Sequence, residues 1–404
     1  MATSEGLPMR RRMERLPALD TLRAVGALMV VAVHVGFNTG QVGEPFWGGI
    51  VARFDSGVAI FFVLSGFLLF RPFALARASG TDDPSVRRYF LRRALRILPA
   101  YWLAVVVVLL VLPANRGTPA RVWAQYLTLT DIYGSDFLRA GLVHTWSLCT
   151  EVAFYLALPL VAWAVLRRRW SPRATLAVLV ALGVGTTLGW LLMMQLGVGP
   201  TANGRTIWLP TYAAWFWGGM ALATVHTALA TRTAPRSWRV FDRLAALPLV
   251  CWAVAAAALV VVSTSWGGPL DLRPITVRQE GTKLALEGLV AAMALIPLAF
   301  GGDNAVKRAL STAPARWVGT VSYGVFLWHL FILEMIYRIA GWALFTGSFI
   351  LVYLLTVGLS LVVATASWYA FERPILNLEL RWRRKAEADR EAEPTILAGA
   401  PAES

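Results

Sequence analysis

Arg23 and His34 stand eleven residues apart in the stretch LDTLRAVGALMVVAVHVGF, from Leu19 to Phe37. On an α-helix that separation is three turns plus about 20° and roughly 16 Å of rise, so both side chains lie on one face. The face then carries a guanidinium, which binds anions, and an imidazole, which takes and gives protons near neutral pH. Neither is tolerated against acyl chains, so both are expected to face protein or a polar cavity. The plainer alternative is an interfacial arginine that sets topology and a histidine merely bonded to a neighbouring helix. It loses ground because the same chemistry recurs elsewhere in the chain.

The recurrences are local and legible. In HTWSLCTEVAFYLALPL, beginning at His144, Ser147 is followed by Glu151 and Tyr155, which share a face at a spacing of four. A carboxylate roughly 13 Å into a span needs a partner. His34 is the first candidate for it and His329, in SYGVFLWHL after Tyr323, the second. Ser65 lies in the small-residue stretch GVAIFFVLSGFLLF, the kind that lets helices approach closely. Between Arg87 and Pro99 the run RRYFLRRALRILP gathers Arg92, Arg93 and Arg96 on one helical face. Such a cluster grips phosphates by paired charge-assisted hydrogen bonds, or equally the headgroups of anionic lipids. Glu287 and Glu334 are explained by packing as well as by function, and His226 suits a helix end.

The elements that must position these groups are membrane helices. The 404 residues are 57% hydrophobic and 15% charged, with a mean hydropathy of +0.59, outside the range of soluble domains. Apolar runs fall at about 20–37, 55–73, 98–113, 142–166, 174–196, 207–230, 244–263, 283–301, 316–340 and 347–372, each crossing or nearly crossing ~30 Å of hydrocarbon. The expectation is an all-α polytopic bundle of about ten transmembrane helices. A short in-plane or re-entrant piece, Arg121 to Thr130, is expected besides. Most of the 38 Lys and Arg fall in alternate connecting segments, which places both termini in the cytoplasm. That arrangement accounts for the net charge of +15 without nucleic acid. Three regions are expected: a basic tail at 1–18, the membrane domain at 19–374, and a charged tail at 375–404 read as disordered. Cys149 and Cys251 are the only cysteines, so no disulfide framework is available. Four histidines without ligand spacing speak against a metal enzyme. The 18 tryptophans read mostly as interfacial belts.

Together these residues suit transfer of a group from a phosphate-bearing cytosolic donor to an acceptor nearer the outer face, with a histidine as general base. Residue chemistry alone does not choose which group. At this point the chain resembles the acyltransferase-3 family of integral membrane acyltransferases, from Leu19 to Pro374. The resemblance rests on LDTLR followed after ten residues by His34, GVAIFFVLSGF, RRALRILP, TWSLCTEVAFY, SYGVFLWH and FERP, in that order. It implies O-acylation of a carbohydrate or lipid-linked hydroxyl by acyl-CoA, most often acetyl-CoA, with membrane lipids around it and neither metal nor resident cofactor. His34 is then the presumed base, and Arg23, Arg93 and Arg96, with Arg92 beside them, the presumed donor contacts. Glu151 and Tyr155 complete the site, and Ser65, Ser147, Tyr323 and His329 are further candidates. Actinobacterial members suggest trehalose mycolates or other glycolipids as acceptors. Where many members read VEEQFY this chain reads TEVAFY, with Val152 and Ala153 in place of two polar residues. Only 30 residues follow Pro374, so the likeness is to members without a fused SGNH hydrolase-like domain. A transporter or lipid flippase is the competing reading. An internal repeat would favour it, and none is visible.

Overall fold

The computed structural model describes residues 16–45, 47–134, 138–167, 169–198, 207–270 and 273–378. The two expected tails fall largely outside these, at 1–15 and 379–404. Among the described residues there are helices and turns but no strand. In chain order the helices are α1 (Pro17–Asn38), α2 (Gly48–Ala52), α3 (Ser56–Ser79), α4 (Val86–Val111), α5 (Ala120–Leu127), α6 (Trp146–Leu166), α7 (Pro172–Leu196), α8 (Leu209–Ala230), α9 (Val240–Ala245), α10 (Pro248–Val262), α11 (Val277–Ala299), α12 (Ala305–Leu310), α13 (Ala313–Ala340) and α14 (Phe349–Ser367).

Ten of these helices occupy the ten expected segments, and the chain is a multi-pass membrane bundle. Among the described residues eight spans are long and apolar enough to cross: α1, α2 with α3, α4, α6, α7, α11, α13 and α14. α8 has the length, 22 residues, but its Trp, Tyr, Thr and Gly content leaves it less apolar. α10 has only 15 residues, about 22 Å of helix. It meets Arg236–Ala245 at 85°, because Leu247 precedes a proline and leaves the helical region. The short segment at Arg121 is the helix α5.

Three boundaries differ from expectation, and each moves a polar residue. The third span is not preceded by a separate arginine segment: α4 runs unbroken from Val86 through Pro99, so Arg92, Arg93 and Arg96 ride on the same rod as the span. α11 begins six residues before the expected 283. Thr276 and Gln279 form a reciprocal capping box there, which satisfies two otherwise orphaned backbone donors and brings Glu280 onto the helix. Beyond α14 the chain passes through a π-helical turn at Trp368–Glu372 and stays helical to 378.

α3 and α13 form the centre and α7 the rim: the apolar windows of the first two are 67% buried, that of α7 only 11%. Small residues bring the central helices together, as expected where apolar burial gives helices no preference over lipid. A Cβ on Gly66 would overlap the Phe216 carbonyl, and one on Gly219 the Val63 carbonyl, so α3 and α8 cross backbone to backbone. Gly26 and Gly57 do the same for α1 and α3, and Gly319 seats α13 on Asp20 of α1. α1, α4 and α13 run in one direction and α3, α6 and α11 in the other. One end of the bundle therefore collects the starts of α1, α4 and α13, and the opposite end the starts of α3, α6 and α11.

Between the spans, α5 is tied to α4 by Tyr101 Oη donating to Tyr126 O (2.7 Å) and Trp102 Nε1 to Leu127 O (2.9 Å). Asp131 follows it, 2% exposed, and accepts from Cys149 Sγ at 3.0 Å. Burial raises its carboxyl from 3.8 to about 6. A raised folded-state value favours the protonated form, so this group's contribution to stability is complete below about pH 4 and lost by about pH 6. Asp131→Asn is expected to raise the apparent unfolding midpoint at pH 7, by the equivalent of ~1–3 kcal/mol, and to flatten its dependence between pH 4 and 6. Thermal unfolding in detergent across that range checks this. A variant as steeply pH-dependent as the parent would contradict it.

Candidate functional site

A cavity of about 630 Å³ opens among α1, α3, α4, α6 and α13. Arg23, Ser65, Arg92, Arg93, Arg96, Ser147, Glu151, Tyr155 and Tyr323 all line it, so nine of the candidate residues from five helices meet in one space. The arginines come from the first halves of α1 and α4, at the same end of the bundle. Arg23 pairs with Asp20 at 2.9 Å. Arg96 pairs with Glu372 at 3.6 Å, donates to Thr320 O at 3.2 Å and lies over the Trp368 ring at 5.1 Å. Arg93 lies 6.0 Å from the centroid of the Tyr155 ring.

Glu151 sits deeper, accepting from Ser65 Oγ and from Tyr155 Oη at 2.6 Å. The expected pairing of Glu151 with His34 is therefore corrected. Helix rise placed the two at similar depth, but Glu151 points towards Ser65 of α3, and that hydroxyl and the Tyr155 hydroxyl of its own helix satisfy it. Tyr323 donates to Ile97 O at 3.1 Å and Ser147 to His144 O at 3.1 Å, both fixing helix geometry at the cavity wall.

His34 and His329 do not line this cavity. They lie beyond its wall, in a cluster with His144, a residue that sequence reasoning left as a helix beginning. Ring centroids are 5.0 Å apart for His34 and His329, 4.7 Å for His144 and His329, and 6.4 Å for His34 and His144. Phe326 is the partition: it lines the cavity, and its ring lies 5.0 Å from His144 and 6.0 Å from His329. Phe61, also in the lining, packs edge-on against Phe326 at 5.7 Å. Among the described residues no three His, Cys, Asp or Glu side chains are arranged to hold a metal ion.

The hydrogen bonds of the two histidines assign their tautomers. A carbonyl only accepts, so His329 Nδ1, 2.5 Å from Phe326 O, carries its proton and a neutral ring leaves Nε2 as an acceptor. That acceptor faces His34 Nδ1 at 3.2 Å, and His34 Nδ1 also lies 2.8 Å from Val30 O. His34 Nδ1 therefore holds the proton and shares it between the two. His34 Nε2 is left with its lone pair, and His34 is half-buried rather than sealed. The support expected from a carboxylate is supplied instead by His329 and a backbone carbonyl, with Asp55 within electrostatic reach of the ring. Signals for this arrangement were present in the motifs HTWSL and SYGVFLWH, but only the crossing of α1, α6 and α13 brings them together.

No solved structure matches the chain. The peptidoglycan O-acetyltransferase OatA of Listeria monocytogenes is 24% identical over 377 residues, 89% of this chain and 56% of that protein. Nodulation protein 10 of Rhizobium leguminosarum bv. viciae is 27% identical over 395 residues, covering 89% and 93%. The putative peptidoglycan O-acetyltransferase YrhL of Bacillus subtilis is 28% identical over 337 residues, covering 78% and 48%. The chain thus spans about half the length of the Listeria and Bacillus relatives. Residues 16–369 match the acyltransferase domain family known as acyltransferase 3, and the chain belongs to it.

Proposed function

We propose that this chain is a membrane O-acyltransferase that moves an acyl group, acetyl foremost, from acyl-CoA to a hydroxyl of an envelope carbohydrate or glycolipid. The observation that carries the reading is the 630 Å³ cavity with arginines at one end and, behind Phe326 at the other, an imidazole with a free lone pair. By the distribution of basic residues the arginine end faces the cytosol, where acyl-CoA is found. Arg23, Arg92 and Arg93 receive the donor's phosphates, and the extended arm lies along the cavity past Tyr155 towards Phe326.

His34 Nε2 then accepts the proton of the acceptor hydroxyl as its oxygen attacks the thioester carbonyl. The imidazolium that forms donates through Nδ1 to Val30 O and His329 Nε2, and Asp55 stabilises its charge. Collapse of the tetrahedral intermediate breaks the carbon–sulfur bond, and the imidazolium returns its proton to the departing thiolate. Ester and free CoA are the products. Both peptidoglycan strands, the acceptors in the names of two relatives, and trehalose mycolates offer such hydroxyls.

The test is a titration of the purified protein in detergent with CoA and acetyl-CoA, followed by incubation of membranes with radiolabelled acetyl-CoA. Binding that weakens as salt rises, and label transferred to extractable glycan or lipid, is the expected result. Absence of CoA binding, with acceptor moved across vesicles without donor turnover, would mark a flippase instead.

A further inference from the structure

At the end of the bundle where α1 finishes, a second cavity of about 220 Å³ opens between α8 and α11. Its lining includes Tyr212, Trp215, Glu280, Lys283 and Arg53, and the walls are firmly built. Arg53, 6% exposed, donates to the carbonyls of Val262, Gly267, Gly268 and Pro269 at 2.8–3.3 Å. This ties the start of α3 to the turn between α10 and α11. Lys283 Nζ bonds Asp55 at 2.7 Å and approaches Glu287 at 3.9 Å. Tyr212 is half-buried, its ring between Trp215 at 4.9 Å and Trp146 at 5.2 Å.

The charged donors that line this cavity are already engaged: Arg53 by four carbonyls, Lys283 by Asp55, and Arg273 by an interaction of its own. Glu280 is 6% exposed, yet its carboxylate has no hydrogen-bond or ion-pair partner among the described residues. The little surface it keeps faces the cavity it lines. Asp55 Oδ1 and Glu287 Oε1, outside the lining, are buried without a hydrogen bond, although Lys283 approaches Glu287 Oε1 at 3.9 Å. A buried acceptor left unmade is costly, and a ligand bearing hydroxyls in this cavity supplies Glu280 with its missing donor. Arg53, Arg273 and Lys283 in the lining disfavour a simple cation, and the buried Glu280 beside them disfavours an anion. The tilted rings of Tyr212 and Trp215 offer an apolar surface with polar edges. The volume equals about seven waters, enough for one sugar ring.

The position also fits the chemistry. Lys283 and Asp55 link this cavity to His34: the lysine lines the cavity, and its partner Asp55 acts electrostatically on the imidazole.

We infer that this cavity is the acceptor subsite and that it holds a neutral sugar ring, with Glu280 accepting from its hydroxyls and the edge of the Tyr212 ring bordering it. The inference rests on the acyl-transfer reading and adds where, and on what class of molecule, the acyl group lands. It also separates the two substrates: donor phosphates at the arginine end, sugar at the other, with the histidine cluster between.

The test uses Glu280→Gln, Tyr212→Leu and Tyr212→Phe in the full chain. Each is expressed in a host strain deleted for the gene, and extracted glycans and lipids are fragmented by mass spectrometry to place the acyl mass. The same chains, purified in detergent, are titrated with CoA and acetyl-CoA, and their unfolding midpoints compared. Expected are an acyl mass on a sugar ring, at least tenfold less of it with Glu280→Gln and Tyr212→Leu, near-parental amounts with Tyr212→Phe, and CoA affinity within twofold throughout. Parental product from both Glu280→Gln and Tyr212→Leu, a matching loss of CoA affinity, or an acyl mass on a hydroxyl outside any sugar would overturn it. A parent chain that neither binds CoA nor adds an acyl mass refutes acyl transfer itself, and this subsite with it.

Discussion

Replacing His34 by glutamine is expected to lower acyl transfer by about 10²–10⁴-fold, the range that a positioned general base contributes, while acetyl-CoA affinity stays within twofold. The separation follows from geometry. His34 lies beyond Phe326, outside the cavity where donor phosphates are held, so its removal deletes an interaction made only as the hydroxyl is deprotonated. Such a change falls on kcat and leaves donor KM alone. Glutamine keeps an amide that can still bond Val30 O and His329 Nε2, so the α1–α13 contact survives while the base is lost. Single-turnover transfer from radiolabelled acetyl-CoA, with titration of the same preparation, measures both quantities. A variant that retains more than a tenth of parental transfer would remove His34 from the base role. One that loses donor affinity in proportion would place it among donor contacts instead.

Why that imidazole was legible while its partner was not is a matter of what a single helix encodes. The register of Arg23 and His34 needs only the pitch of α1, and the clustering of Arg92, Arg93 and Arg96 only that of α4. Both were readable within one segment. The pairing of His34 with His329 depends on where α13 crosses α1, which is set by Gly319 seated on Asp20 and by the direction Phe326 takes. Helix rise gave Glu151 a depth but no azimuth, and azimuth decided between His34 and Ser65. Glu280 was missed for another reason. A hydropathy window starts the eighth span at Lys283, whereas the Thr276 and Gln279 capping box starts the helix at Val277, turning a loop carboxylate into a cavity wall. Tryptophans assigned to interfacial belts include Trp190, Trp215 and Trp328, each at most 4% exposed. A belt and a buried aromatic core draw on the same residue type.

Arg93 and Arg96, which a phosphate-gripping motif would treat as a pair, are expected to behave as opposites. Arg96 is already occupied: it pairs with Glu372, bonds the Thr320 carbonyl and covers Trp368, joining α4 to α13 and to the π-turn after α14. Glu372 is 3% exposed, so Arg96→Met leaves a buried carboxylate without its counter-charge. Breaking one side of such a pair costs about 3–5 kcal/mol, and the apparent unfolding midpoint is expected to fall by several degrees. Arg93 has no ion-pair partner among the described residues, is half-buried, and faces the cavity above Tyr155 at 6.0 Å. Its removal breaks no native pair but withdraws a charge-assisted bond of about 1.5–3 kcal/mol from a bound phosphate. Arg93→Met should therefore raise the Kd for CoA by about 10- to 100-fold, flatten its salt dependence, and leave the unfolding midpoint near the parent's. Calorimetric titration at two salt concentrations and thermal unfolding of both variants separate the outcomes. If Arg93→Met unfolds early while Arg96→Met alone loses CoA, the assignment of one arginine to the donor and the other to the scaffold is reversed.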